Sequence, residues 1–250
     1  MRPAVVIPTY DEADNIARLL GCIRALPGDV HAIVVDDNSP DGTGDVVARI
    51  AAGDAGVRLL RRPAKLGLGT AHLAGFQAAW DAGFDPVLTM DADFSHDPAR
   101  IPDLLARSAD ADLVIGSRYV PGGGTRDCPL GRRLLSRTAN GVARAALGLA
   151  AADCTAGFRC YRRAVIEALL ATPIVANGYS FLVEVLVRVQ GHGFRVREVP
   201  ILFVDRRFGI SKISKGEILR AAATVWRLFR ARIRRSLPIM GARDRKGNGR

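Results

Sequence analysis

A chain of 250 residues, 48% hydrophobic and 24% charged, is long enough to bury a sizeable core and too apolar to remain a disordered polymer. Its formal charge of +11 asks for an anionic partner, yet no recognition motif and no basic stripe interleaved with aromatics is found, so nucleic acid is not expected. No stretch reaches the roughly 18 apolar residues that span a bilayer; the best candidate, Val142 to Ala152, is short and contains Arg144. Ala4-Val5-Val6-Ile7 is an apolar run stopped by Pro8, and it predicts a buried strand. Thr9-Tyr10-Asp11-Glu12 follows, then helical spacing through Ile16, Leu19, Leu20 and Ile23. Thr9 and Glu12 also fit a capping box. Ala32-Ile33-Val34-Val35 predicts a second strand, ending in Asp36-Asp37 and the turn Pro40-Asp41-Gly42 with Thr43 as cap. Further strands are expected at Val57–Leu60, Pro86–Thr89, Leu113–Gly116 and Val196–Val199. Strands alternating with helices predict an α/β fold with a mainly parallel sheet.

The most informative segment is Met90-Asp91-Ala92-Asp93-Phe94-Ser95-His96-Asp97-Pro98. Asp97 is accounted for as a helix N-cap with Pro98 at the first helical position. Asp91 and Asp93 precede the cap and need another explanation. Two carboxylates one residue apart at a strand's carboxyl end make a hard-oxygen site suited to Mg²⁺ or Mn²⁺. In open parallel sheets ligands bind beyond those strand ends. Thr9 to Glu12, Asp36-Asp37 and the Asp91/Asp93 pair would then line one crevice. The four cysteines, Cys22, Cys128, Cys154 and Cys160, lack close zinc spacing, and no signal peptide is read before the first strand. Reduced thiols and a cytoplasmic location are expected.

Taken in order, several motifs resemble those of the inverting A-type nucleotide-sugar glycosyltransferases, and within them the dolichyl- or polyprenyl-phosphate mannose synthases. They are Ile7-Pro8-Thr9-Tyr10-Asp11-Glu12, Val34 through Thr43, Lys65-x-Gly67-Leu68-Gly69-Thr70-Ala71, Met90 through His96, and Gly116-Ser117-Arg118-Tyr119. Later ones are Thr155-Ala156-Gly157-Phe158-Arg159, Gly178-Tyr179-Ser180-Phe181 with Glu184, and Arg206-Arg207-Phe208-Gly209-x-Ser211-Lys212. The resemblance implies a Rossmann-like A-type fold and transfer of mannose from GDP-mannose to a dolichyl or polyprenyl phosphate with inversion. It implies that Pro8, Tyr10, Glu12, Val35 and Asp37 hold the nucleoside, with Asp91, Ala92 and Asp93 beside it. Arg206 and Lys212 would reach the donor's phosphates. Asp91 and Asp93, joined by Ser95, would be the metal ligands; Ser95 stands where the family has Gln or Ser. The loop from Arg206 to Lys212 is expected to close over the diphosphate.

A phosphate acceptor needs no general base. Its second pKa of about 6 leaves it largely dianionic at neutral pH. It needs cations that orient it, and the candidates are Arg118, after the strand ending at Gly116, and Arg132, at the start of a helix. Glu184, mid-helix, either orients a sugar hydroxyl or pairs with an arginine. Residues 1–214 are expected to form the catalytic domain, 215–236 an amphipathic basic helix packed on it or extending it, and 237–250 a disordered tail. In that helix Ile218, Ala222, Val225, Phe229 and Ile233 share a face, while Arg220, Arg227, Arg230 and Arg234 fall largely elsewhere. This is the pattern of an interfacial helix, with Trp226 at headgroup level, and equally of a helix packed on its own domain. A peripheral position on the cytoplasmic face of a membrane follows, with or without a separate membrane anchor protein. Rival readings are a prenyl-phosphate glucosyltransferase using UDP-glucose, a nucleotidyltransferase, and a non-catalytic basic module binding membrane or nucleic acid. The nucleotidyltransferase lacks its early Gly-rich loop, and the binding module leaves the acidic strand ends unexplained.

Overall fold

The computed structural model describes residues 1–176, 178–205 and 215–236, of which Tyr179, 215–220 and 233–236 are described by their backbone alone. The strands are β1 (Ala4–Thr9), β2 (His31–Asp36), β3 (Val57–Arg61), β4 (Val87–Thr89), β5 (Leu113–Ser117), β6 (Gly124–Arg126), β7 (Arg159–Tyr161), β8 (Val196–Pro200) and β9 (Leu202–Val204). The helices are α1 (Ala13–Arg24), α2 (Thr43–Gly53), α3 (Leu68–Asp81), α4 (Ile101–Arg107), α5 (Leu130–Leu147), α6 (Arg163–Leu170), α7 (Tyr179–Gly191) and α8 (Lys215–Ser236). Seven strands form one sheet in the order β3-β2-β1-β4-β7-β5-β8, and β6 pairs with β9 in a small ribbon. Every neighbour in the large sheet is parallel except β7, which runs against both β4 and β5. All six predicted strands are present. The three that the sequence reading did not identify are β6, β7 and β9, each three residues long.

Strand alternation divides the core into two layers. Val5, Ile7 and Val34 face one cluster with Ile16, Leu19 and Leu20 of α1, whereas Val6, Ile33 and Val35 face the other with Ala71 and Phe76 of α3. Successive side chains of a strand point to opposite faces, so an apolar run becomes a strand buried on both sides. Gly75 lets α3 approach β1, because a Cβ there would strike the side chains of Val6 and Val35. All four cysteines are free, and burial pushes the Cys154 thiol up to about 11 and Cys160 to about 12.

Two local expectations are corrected. Thr43 does not cap α2: Gly42 does, with φ +85°, and the Thr43 hydroxyl accepts the Glu12 amide at 2.9 Å. No capping box forms at α1, since the Thr9 hydroxyl donates to Asp36 at 3.0 Å and Glu12 makes no side-chain cap bond. Asp97 behaves as predicted, accepting from the Ala99 amide at 2.9 Å ahead of a short turn that begins at Pro98.

Among the described residues, no helix is long and apolar enough to cross a membrane. α8 packs against α5 and α7. Its Leu228 is buried, and Val225 and Phe229 lie against the core. The packed-helix reading therefore holds for these residues, while Trp226 stays 60% exposed. The expected loop from Arg206 to Lys212 and the tail 237–250 lie outside the described residues.

Candidate active site at the strand carboxyl ends

Because β1, β2, β4 and β5 are mutually parallel, their carboxyl ends open on one edge of the sheet. That edge gathers Tyr10 to Glu12, Asp36-Asp37, Asp91 with Asp93, and Arg118. Three of the loops turn through a left-handed non-glycine residue just past the strand: Asp11 (φ +59°), Asn38 (φ +58°) and Phe94 (φ +58°). Asp and Asn adopt this conformation more readily than other non-glycine residues, whereas for Phe it is rare. The first two loops are also tied to each other. The Asp11 amide donates to Ser39 Oγ at 3.2 Å, and the Ala13 amide donates to Asp41 at 2.9 Å.

The acidic residues divide into two kinds. Asp36 is buried and bonded to Thr9 and Ser39, so it is structural. Asp37 is 5% exposed; its Oδ2 accepts the amides of Leu66 and Gly67, each at 3.1 Å, and its Oδ1 pairs with Arg62 at 2.7 Å. It thereby fixes the loop that leads into α3. Val35 is fully buried under α3, so its side chain does not face the crevice. Pro8 lies half-buried at the end of β1. Tyr10 carries the Lys65 ammonium 3.5 Å from its ring centroid, and Glu12 accepts from Asn15 at 3.0 Å.

The second kind faces a cavity. Asp91, with a side chain 39% exposed, and Asp93 lie on its wall together with Ser95 and His96. Ala92 between them is buried. Asp93 Oδ1 accepts the Ser95 amide at 3.0 Å, and the Ser95 carbonyl accepts the Val204 amide at 3.2 Å, so the turn is held from both sides. Two carboxylates suit a hard divalent ion. Among the described residues no cluster of three or more His, Cys, Asp or Glu side chains completes a cage. That donor set fits Mg²⁺ or Mn²⁺, which are held by one or two carboxylates and take their other oxygens from water and substrate phosphates.

The cavity, about 380 Å³, runs from this acidic pair to α5. Arg118, Arg132, Arg133 and Arg137 all line it. Arg118 engages Asp153 as a fork, Nε to Oδ2 at 2.7 Å and Nη2 to Oδ1 at 2.8 Å, and also donates to Thr155 at 2.8 Å. Burial acts to lower the arginine's pKa, but the Asp153 carboxylate outweighs it and holds it raised. Asp153, wholly buried, is in turn held below its usual range by Arg118 despite its own burial. Arg132 pairs with Asp205. Arg133 and Arg137 form no ion pair among the described residues. The sequence reading did not anticipate Asp153 or Asp205. A lone acid in the apolar run Ala151-Ala152-Asp153-Cys154 is the one signal that marks Asp153.

Glu184 resolves toward the ion-pair alternative. It is wholly buried on α7 and accepts from the Ala176 amide at 2.9 Å, Arg188 at 2.8 Å and Arg227 of α8 at 2.6 Å. Burial acts to raise its pKa, and the two arginines more than offset this, leaving it lowered from 4.5. Asp153 is lowered from 3.8 in the same sense. As pH falls, the unfolded chain takes up these protons first, so the stability they contribute is full above about pH 4.5 and is lost as pH falls through the folded-state values. Urea melts between pH 7 and pH 3 should show the midpoint falling below pH 4.5. Glu184→Gln should be less stable at pH 7 and flatter over that range.

A family model, that of glycosyl transferase family 2, matches residues 4–170. The chain is 44% identical to polyprenol monophosphomannose synthase of Mycolicibacterium smegmatis over 239 residues, covering 92% of this chain and 90% of that protein. It is 43% identical to undecaprenyl-phosphate mannosyltransferase of Micrococcus luteus over 227 residues, covering 91% and 93%. Among solved structures, glucosyl-3-phosphoglycerate synthase from Mycobacterium tuberculosis with phosphoglyceric acid superposes with a TM-score of 0.67 at 20% identity, covering 96% of this chain and 82% of that one. The same enzyme with Mn²⁺, uridine diphosphate and glucosyl-3-phosphoglycerate gives 0.64 at 22% identity, covering 96% and 82%. At that identity the likeness concerns the fold.

Proposed function

This chain belongs to glycosyl transferase family 2, and from that premise we propose that it transfers mannose from GDP-mannose to a polyprenyl phosphate with inversion, at the cytoplasmic face of a membrane. The observation that carries the reading is one cavity that joins a carboxylate pair at one end to a wall of arginines at the other. The names of the two relatives, each more than 40% identical over nine-tenths of both proteins, supply mannose and the prenyl phosphate. Asp91 and Asp93 would hold Mg²⁺ or Mn²⁺, which when bound neutralises charge developing on the leaving nucleoside diphosphate.

The chain's own residues supply the rest. Tyr10 and Glu12 border the nucleoside, and Asp37 sets the loop beside it. The acceptor phosphate is its own nucleophile, so no carboxylate need act as base. It enters among Arg118, Arg132, Arg133 and Arg137. Arg118 is already rigid, its fork set by Asp153 and Thr155, and it presents a fixed positive charge that does not titrate. Arg132 must share its guanidinium between Asp205 and the phosphate. Arg206 and Lys212 remain proposed contacts to the donor phosphates. Purified protein given GDP-mannose, Mg²⁺ or Mn²⁺ and a polyprenyl phosphate should yield a lipid heavier by one hexosyl residue; a panel of nucleotide hexoses identifies the donor. Hexose appearing on no lipid phosphate from any donor would overturn the reading.

The membrane side is marked by α5. Leu130, Leu134 and Leu135 are 78%, 69% and 53% exposed, and Arg132, Arg133 and Arg137 stand among them at the cavity wall. Each leucine inserted into lipid is worth roughly 1.5–3 kcal/mol, and each arginine near an anionic surface about 1 kcal/mol. Leu130, Leu134 and Leu135 replaced together by Ser should lower partitioning onto anionic vesicles by at least about tenfold. Turnover of a short water-soluble prenyl phosphate should be little changed. Sedimentation with vesicles decides this; unchanged partitioning would move the contact to Trp226 of α8 or to a separate anchor.

A further inference from the structure

His72 lines the cavity with Asp91 and Asp93. It sits in the second turn of α3 and is 2% exposed. Its ring stacks on Phe181, with centroids 5.3 Å apart and planes 25° apart, and Phe76 packs at 6.2 Å. The stack is built into the backbone: a Cβ on Gly69 would lie 3.0 Å from the Phe181 ring and 3.1 Å from the Ala176 carbonyl. A side chain larger than glycine in this first turn of α3 would press on both and push them back.

The other constraint is the tautomer. His72 Nδ1 lies 2.9 Å from the Leu68 carbonyl oxygen. A carbonyl oxygen only accepts, so Nδ1 carries a proton and donates. Burial pushes the imidazole's pKa down, and the ring is neutral. Nε2 is therefore a bare lone pair, and among the described residues no donor bonds to it. The stack fixes the ring plane and the Leu68 bond fixes which edge faces the backbone, since a ring flip would keep the plane but break that bond. His96, on the same cavity, has the opposite arrangement. The Asp91 amide donates to its Nδ1 at 3.2 Å, which places the His96 proton on Nε2. The cavity beside the carboxylate pair thus presents one fixed imidazole acceptor and one imidazole N–H. A sugar hydroxyl, which donates and accepts at once, matches such a surface; a phosphate, which has only acceptors to offer, is repelled by a bare lone pair.

We propose that His72 Nε2 accepts a hydrogen bond from a ring hydroxyl of the transferred hexose, making His72 a positioning and specificity residue of the donor-sugar pocket. It takes no proton from the sugar and makes no bond to it. The inference rests on the hexosyl transfer proposed above and adds the residue that recognises the sugar.

The test pairs a protein change with a substrate change. His72→Phe keeps a flat ring against Phe181 and deletes the acceptor; His72→Gln keeps an acceptor. Wild type and both variants are assayed with GDP-mannose and its monodeoxy analogues, and GDP binding and melting temperature are measured beside them. Wild type is expected to disfavour one deoxy donor by about tenfold or more in kcat/KM, because a site built to bond a hydroxyl rejects the analogue that lacks it. His72→Phe should use that donor and GDP-mannose within about twofold of each other, with GDP affinity unchanged, and His72→Gln should restore part of the discrimination. The proposal is overturned if His72→Phe slows all donors by one common factor, or if it discriminates as wild type does. Should His72→Phe not fold, the same comparison is read from His72→Gln, whose discrimination must then fall between twofold and the wild-type value. A wild type that ignores GDP-mannose but uses another nucleotide hexose removes the donor assignment alone, and deoxy analogues of that hexose then judge His72. Absence of any hexosyl transfer removes both.

Discussion

Asp93→Asn is expected to lower turnover by at least about a thousandfold, and Asp91→Asn by a similar factor. A metal-held leaving group is stabilised by several kcal/mol, and each 1.4 kcal/mol, roughly, is a factor of ten in rate. Neither change should unfold the protein, because Asp91 is partly exposed and the turn keeps the Ser95–Val204 backbone bond. Turnover in saturating Mn²⁺, beside melting curves, is the measurement. Metal-dependent tightening of GDP binding should vanish in both variants. Activity within a few-fold of wild type in either one would sink the assignment of this pair.

The second large effect concerns Asp153. With its carboxylate wholly buried and Arg118 only 13% exposed, removing one partner strands a charge in the interior. Asp153→Asn should cost about 3–5 kcal/mol of folding stability, as breaking one side of a buried pair does. Replacing both partners by apolar residues, Arg118→Met with Asp153→Leu, should recover much of that loss while leaving transfer impaired. Urea titration of the two singles and the double separates the roles. A double variant as unstable as Asp153→Asn would mean that the loop 151–157 depends on something besides charge.

The legible part of the fold was the part with a simple pattern. Ala4–Ile7, Ala32–Val35 and Leu113–Gly116 are apolar runs buried on both faces, and such runs announce themselves. β7 did not, because Arg159-Cys160-Tyr161 places an arginine at the centre of the sheet. Arg159 is tolerated there since its guanidinium donates to three backbone carbonyls, those of Ala156 at 2.7 Å and of Leu182 and Cys154 at 2.9 Å each. The acidic strand ends were legible from spacing alone. The pairing of Arg118 with Asp153 joins residues 35 positions apart, and no local pattern encodes it. His72 was hidden for the opposite reason. A single histidine on an apolar helix face reads as core; the structure does bury it, and the proposed role rests on the cavity wall and the tautomer set by Leu68. In α5, Leu130, Leu134 and Leu135 stand 53–78% exposed, and no local pattern in the sequence marks them as an uncovered face.

The reversed direction of β7 has a wider consequence. Running against its neighbours, it acts as a partition. On one side, residues 1 to 97 assemble the half that carries the carboxylate pair from β1 to β4; on the other, residues 113 to 205 assemble the arginine-lined half from β5, α5, β6, β8 and β9. The two halves meet at a seam, where Gly157 lies beside Asp91 and His96. For the proposed reaction this makes the fold modular. The seam is not a clean break, because Val204 holds the Ser95 turn and Phe181 holds the His72 ring, so drift on the far side retunes the lipid freely only away from those contacts. A family of transferases with one donor grip and many acceptors is what such a seam permits.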